Sequence, residues 1–461
     1  MDTATAAPAT APPRLGALQF LGYAAGDAAN NLAFSMTSFF LLIYYTDVVG
    51  ISAATVGTLF LVIRVWDAFA DVFAGRVVDR TMTRWGKFRP FFIFAGPPVL
   101  LLSLATFTVP GQFEGGGAKL AAAYLTYGLL GLAYSLVNIP YGSLAAAMTQ
   151  RPGERAKLAS FRMIGTAVTT IMLAFVVSPQ IQKYRGDPVG FQHSLLITTA
   201  VFAVVGCGLY VFLFLTSRES VPRDIGHVSA RQSFTTLKRN KPLIMLCLAS
   251  LAFLTALFSL QTVQVYYARD VLGNAGLLTA LTVLSVGAIF IVAPLMPRLV
   301  RAVGKKKAFL SFGGVGLVAG IGISLSPPST PWVSMTFFAI MGISTAGINT
   351  LMWALEADTV EYGEWRTGIR TEGITYALFS FTRKLGQAVG GAVAAYAIAL
   401  GGYVGGAATQ DPTALDAIRY ASGFIPFAFI LLGMLIFFRY PLTEQTFATM
   451  VAETQARRAA R

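Results

Sequence analysis

The chain has 461 residues, of which 55% are hydrophobic and only 12% charged, with 35 Lys and Arg against 21 Asp and Glu for a net charge of +14. A soluble chain carries roughly 25% charged residues, and a nucleic-acid binder with this net charge shows a basic face rather than a positive mean hydropathy. Composition therefore excludes both and points to a polytopic α-helical membrane protein.

Two cysteines, Cys207 and Cys247, lie inside apolar runs, and two histidines, His193 and His227, lie far apart. That excludes a disulfide scaffold and leaves no spacing for zinc or a His-based triad. Residues 1–16, rich in Ala, Thr and Pro with one basic residue, Arg14, read as a disordered tail rather than a signal peptide.

A spanning helix needs about 20 mostly apolar residues. Such runs follow at 17–45, 51–79, 88–109, 118–148, 157–182 and 193–216, and again at 241–268, 275–299, 307–326, 331–358, 372–403 and 417–439. The expected organisation is a six-helix bundle over 17–216, a polar linker over 217–240 with Arg218, Arg223, Arg231, Lys238 and Arg239, a second bundle over 241–440, and a tail over 441–461. A basic Gly-containing loop follows the second run of each half, GRVVDRTMTRWGKFRP and PRLVRAVGKKKAF. Twelve transmembrane helices in two six-helix pseudo-repeats about the membrane normal are the major facilitator arrangement.

Basic residues crowd one side. Arg76, Arg80, Arg84, Lys87 and Arg89 follow run two, Arg151, Arg155 and Lys157 follow run four, and Arg298, Arg301, Lys305, Lys306 and Lys307 follow run eight. The opposite loops hold little beyond Lys119, Lys183, Arg185, Arg269 and Arg419. Positive loops stay in the cytoplasm, which predicts a multi-pass protein of a bacterial-type inner membrane with both termini cytoplasmic, and accounts for the charge without a nucleic-acid partner.

An ionisable side chain at the bilayer centre costs at least ~2.5 kcal/mol, so each one is a functional candidate. They are Asp27 in run one, Arg64, Asp67 and Asp71 in run two, Arg162 in run five, and Arg383 and Lys384 in run eleven. At ~1.5 Å per residue, Asp67 and Lys384 lie about 18 Å from the basic side, in one layer with Asn31 and Asn138. Asp67 and Asp71 are four residues apart, within ~6 Å on one helix face. Two desolvated carboxylates that close cannot both stay ionised and bare, so a proton or a cation belongs between them; the alternative is a permanent pair with Arg64, three residues before Asp67. Run four sets Tyr134, Ser135, Asn138 and Tyr141 at helical spacing around Pro140, rings and amides suited to a sugar's apolar face and polar rim, or simply packing between helices.

The segments YYTDVVG (44–50), VGTLFLVIRVWDAFAD (56–71), RWGKFRP (84–90), NIPYGSL (138–144) and ADTVEYGEW (357–365) with the downstream IRTEG resemble the glycoside-pentoside-hexuronide:cation symporters, from about residue 21 to 400. The resemblance implies that Asp67 and Asp71 bind the coupling cation with Ser135 and Asn138 nearby. It also implies that Lys384 stands close to sugar and cation, that Tyr134 and Arg162 line the sugar cavity, and that Trp353 forms an aromatic wall. Where a melibiose-carrying member has sugar-binding aspartates, this chain has Asn31 and Asn138, and Gly142 replaces a bulky aromatic. With Arg64, Arg162 and Lys384 retained, the cavity is expected to be more positive and to suit an anionic sugar, a uronide or a sulfonated hexose. Ala70 lacks the side-chain oxygen of sodium-using members, which favours a proton.

The expected function is a sugar importer working by alternating access as a monomer in the lipid bilayer. It is driven by a monovalent cation, sodium or proton, with no other cofactor or metal and no catalytic residue. Substrate contacts are expected from Asp27, Asn31, Arg64, Tyr134, Asn138, Arg162, Trp353 and Lys384. The RWGKFRP loop and the Glu356, Asp358, Glu361 and Arg366 cluster are expected to act as intracellular gate contacts favouring the outward-facing state. The alternative is a lysolipid or amphipathic-solute carrier of the same superfamily. No nucleophile, metal cluster or phosphate loop supports an enzyme.

Overall fold

The computed structural model describes residues 14–149, 151–219, 240–368, 372–407 and 409–459. Most of the expected N-terminal tail and of the linker, including Arg223, His227, Arg231, Lys238 and Arg239, and part of IRTEG lie outside these residues. Among the described residues the chain is all-α, with one isolated bridge between Thr83 and Gly86.

Helix α1 (Ala17–Ile43) runs into a π-helical turn, Tyr44–Val49. After it come α2 (Ala53–Arg80), α3 (Arg89–Phe94), α4 (Gly96–Thr106), α5 (Gly116–Met148), α6 (Pro152–Lys183) and α7 (Pro188–Thr216). The second half opens with α8 (Lys241–Tyr266), which also ends in a π-helical turn, Tyr267–Val271. It continues through α9 (Leu277–Gly287), α10 (Ile289–Val303), α11 (Lys305–Leu325), α12 (Pro331–Thr367), α13 (Glu372–Leu400), α14 (Pro412–Ser422) and α15 (Phe424–Phe438). A last helix, α16 (Glu444–Ala459), occupies the expected C-terminal tail and docks on α12, where Trp365 Nε1 donates to Glu453 at 2.7 Å.

Helix starts follow local chemistry. The Ser52, Asp187 and Asn240 side chains each accept a bond from a backbone N–H in the first turn of α2, α7 and α8. The expected single runs at 88–109, 275–299 and 417–439 are each broken into two helices, the second at Ala288, and proline explains the first and the last. Pro98 and Pro426 lack the N–H that would bond to Phe94 and Ser422 four residues back.

Among the described residues, ten segments are long and apolar enough to cross a membrane. Helices α2 and α13 are as long but carry the ionisable residues noted above. Helix α2 shows how it resides in lipid: Val65, Phe69, Val72 and Phe73 are exposed, while Ala70 and Ala74 are buried and Arg64, Asp67 and Asp71 are half-buried on the inner face. An apolar outside around a polar inside is the reverse of a water-soluble helix, and the chain is a multi-pass membrane protein.

Helices α1 to α7 pack mostly among themselves, as do α8 to α15. The halves meet where α1 packs on α8, α2 on α13 and α6 on α9. Much of this contact lies on the side opposite the termini, called here the far side: Thr58 bonds Tyr396 at 2.7 Å, and Ser178 donates to the Ala275 carbonyl at 2.5 Å.

Candidate functional site

Helical period places Arg64, Asp67 and Asp71 on one face of α2, turned toward α5 and α13. Arg64 Nη1 pairs with Asp67 Oδ2 at 3.2 Å, and Ser135 Oγ of α5 donates to Asp71 Oδ1 at 2.7 Å. Lys384 Nζ of α13 forms an ion pair with Asp71 Oδ2, tying one half of the molecule to the other. Asp67 is left with Oδ1 buried and without a donor, and Arg64 Nε is likewise bare. Gly131 makes room for that carboxylate, since any Cβ there would strike Asp67 Oδ1. Among the described residues Asn138 makes no side-chain hydrogen bond, so its link to the carboxylates is one of helical spacing alone.

A second cluster joins α1 and α6. Arg162 Nε donates to Asp27 Oδ1 at 2.9 Å, Asn31 Nδ2 donates to Asp27 Oδ2 at 2.9 Å, and the Thr166 hydroxyl bonds that same oxygen. Ser35 extends the chain by donating to Asn31 Oδ1 at 2.9 Å. Asp27 is thus buried and fully ligated by its own half, while Arg162 also lies over the Tyr141 ring at 5.2 Å. Tyr134 stacks on Phe34 at 5.6 Å between ring centres.

The third group is on the other half. Trp353 of α12 stacks on Tyr376 of α13 at 5.9 Å, and the Arg383 guanidinium lies 4.8 Å above the Trp353 ring while its Nη2 donates to Asn349 Oδ1 at 3.1 Å. The sequence flagged Arg383 as a charge in hydrocarbon but gave no reason to choose it as a ligand. Thr166 and Asn349 carried no signal beyond polarity, because a Thr or Asn in a membrane helix bonds its own backbone as often as a partner.

A region that sequence reasoning passed over closes the far side. The Asp47 carboxylate accepts from Arg269 Nη1, from the Tyr403 hydroxyl and from the Gly406 N–H, each at 3.0 Å, and Arg269 also holds Asp270 at 2.8 Å. Burial, and then the Asp47 charge, push the Tyr403 hydroxyl well above its usual range, so it remains a donor. A repeat could have exposed this clasp: YYTDVVG and YYARDVLG (266–273) are related motifs, each forming a π-helical turn that ends on a left-handed glycine, Gly50 at φ 79° and Gly273 at φ 70°. On the terminus side, the RWGKFRP loop bonds within its own half, with the N–H groups of Lys87, Phe88 and Arg89 donating to Glu219 at 2.7–3.1 Å. Asp358 pairs there with Lys305 at 2.7 Å.

Residues 22–444 match the family model described as MFS/sugar transport protein. The chain belongs to the glycoside-pentoside-hexuronide family of major facilitator sugar transporters. It is 46% identical over 444 residues to the glucuronide carrier protein homolog of Escherichia coli K12, covering 95% of each chain. It is 31% identical to the isoprimeverose transporter of Lactiplantibacillus pentosus, covering 88% of this chain and 84% of that one. Among solved structures the nucleoside transporter NupG shares the fold, with a TM-score of 0.65 at 14% identity over 92% of this chain and 100% of that one. The fold is therefore that of a transporter rather than an enzyme, and these relatives favour sugar over the lysolipid alternative.

Proposed function

We propose that this family member imports an anionic sugar of the hexuronide type, driven by a proton or sodium ion bound at Asp67 and Asp71. The observation that carries the reading is the pairing in α2: Asp71 reaches across the bundle interface to Lys384, while Asp67, one turn away, keeps a buried oxygen without a donor. A small cation entering there supplies what Asp67 lacks and competes with Lys384 for Asp71. Loosening that bridge lets one half rock against the other around the filled site. Ala70 offers no oxygen ligand beside the pair, which favours a proton.

The clasp at Asp47 and Arg269 supports a state closed on the far side. With the basic loops in the cytoplasm, α2 and α13 counted as spans to make twelve, and both termini inside an inner membrane, this is the inward-facing state. Residues 17–216 and 241–440 then act as the two rocking bundles. One chain contains both halves of the path, so a monomer suffices. In this state the RWGKFRP and Asp358 contacts sit within their own halves, free to re-pair across the interface when the cytoplasmic side closes. The glucuronide named for the E. coli relative supports a uronide as cargo.

Proteoliposomes test this. Uptake of paired neutral and anionic hexosides is measured under separately imposed sodium and proton gradients. Accumulation of the uronide under one gradient, lost in both Asp67→Asn and Asp71→Asn, is the expected result; accumulation retained in both variants removes the coupling assignment.

A further inference from the structure

The middle layer contains four cations, Arg64, Arg162, Arg383 and Lys384, against three carboxylates, Asp27, Asp67 and Asp71. The pairing is specific. Asp67 takes Arg64, Asp27 takes Arg162 and Asp71 takes Lys384. The three cations that made the cavity look basic are thus each matched to an acid, and the excess positive charge resides on Arg383.

Among the described residues Arg383 has no carboxylate partner. Its Nη2 reaches the neutral Asn349 amide at 3.1 Å, and its Nη1 is buried without any acceptor. A buried guanidinium without an anion is costly and persists where a ligand completes it. Its setting is that of a binding group: the Trp353 ring 4.8 Å beneath holds the guanidinium plane, and Trp353 and Tyr376 offer an aromatic wall beside it, with the Tyr376 side 45% exposed. A planar fork over an indole is suited to a carboxylate.

We propose that Arg383, oriented by Asn349 and Trp353, is the specificity-determining residue that receives the substrate's single negative charge, the C6 carboxylate of a hexuronide whose ring lies against Trp353 and Tyr376. The proposal rests on the anionic-sugar reading above and adds which cation reads the anion. The side chain is partly open, so a swing about its last torsions carries Nη1 from its apolar surroundings to the incoming carboxylate. Arg162 keeps Asp27, and Lys384, whose Asp71 is shared with the coupling ion, contacts the sugar's hydroxyls.

Binding of methyl β-D-glucuronide and methyl β-D-glucoside to the purified full-length protein, by calorimetry, decides it. Wild type is expected to favour the glucuronide. Arg383→Gln should weaken the glucuronide by about 10- to 100-fold and the glucoside by less than about threefold, with Arg383→Lys between, since a hydrogen-bonded charge contributes on that scale. Asn349→Asp is the second variant: it keeps the guanidinium but supplies a built-in carboxylate, and should erase the preference for the anion to a similar degree. Its unliganded melting temperature should not fall, because an unpaired charge gains a partner. A glucuronide preference unchanged in both variants, or an equal loss for both sugars, overturns the assignment of Arg383 while leaving the cargo standing. A wild type that shows no preference for the anion overturns the cargo and this assignment together.

Discussion

The far-side clasp and the middle layer are built from the same residue types and end in opposite states. At the clasp, the Arg269 guanidinium lies between Asp47 and Asp270, Tyr403 bridges it to Asp47, and a void of only about 30 Å³ is left against Asp47, Arg185 and Arg269. That space holds a water or two and no sugar. In the middle layer Asp67 keeps one bare oxygen and Arg383 one bare nitrogen. Charges that complete one another across two helices hold a conformation, whereas the incomplete ones are where the proposed cation and carboxylate would dock.

The largest effect should come from breaking the clasp. Arg269→Gln leaves Asp47 without its cation and Asp270 with only the longer pair to Arg185 at 3.6 Å, a loss of about 3 to 5 kcal/mol for a buried pair. With Cys207 and Cys247 replaced by Ser, thiol labelling of Ala407→Cys from the far side should speed up at least about a hundredfold. An unchanged labelling rate would mean that something else seals this side.

Next in size is the bridge between halves. Asp71→Asn strips Lys384 of its partner, and gradient-driven accumulation should fall by more than about tenfold, the size of a typical coupling energy. Exchange of sugar across the membrane without a gradient should persist. Loss of both activities together would turn Asp71 from a coupling group into a scaffold residue.

A smaller change probes the paired part of the middle layer. Thr166→Val removes a donor from the buried Asp27 carboxylate and should destabilise the protein by about 1.5 to 3 kcal/mol, the range for hydrogen bonds to charged groups. Thermal unfolding in detergent measures it, and an unshifted melt would show that Asn31 and Arg162 alone suffice. The smallest effect is expected from Tyr396→Phe, which deletes a single exposed bond to Thr58 between the halves. At about 0.5 to 1.5 kcal/mol, labelling at position 407 should rise no more than about tenfold, well short of the Arg269 variant.

Much of the molecule was legible in the linear chain. Apolar stretches near 20 residues located the helices, with ends up to nine residues off as at Thr367, and the spacing of Arg64, Asp67 and Asp71 put all three on one face of α2, because a helix turns by the same angle per residue wherever it lies. The paired tyrosines of the two π-helical turns were equally present in the letters, though their shift by one residue at Arg269 hid the kinship. What the chain alone left open was the matching of partners. Lys384 could have met either aspartate of α2, Arg162 could have faced solvent, and Asp47 and Arg269 lie 222 residues apart. Those choices depend on the register and tilt at which separate helices pack, which are set by the shape of whole interfaces rather than by any local period. Only tertiary structure therefore decided that three of the four inner cations have acids of their own and that, among the described residues, Arg383 does not.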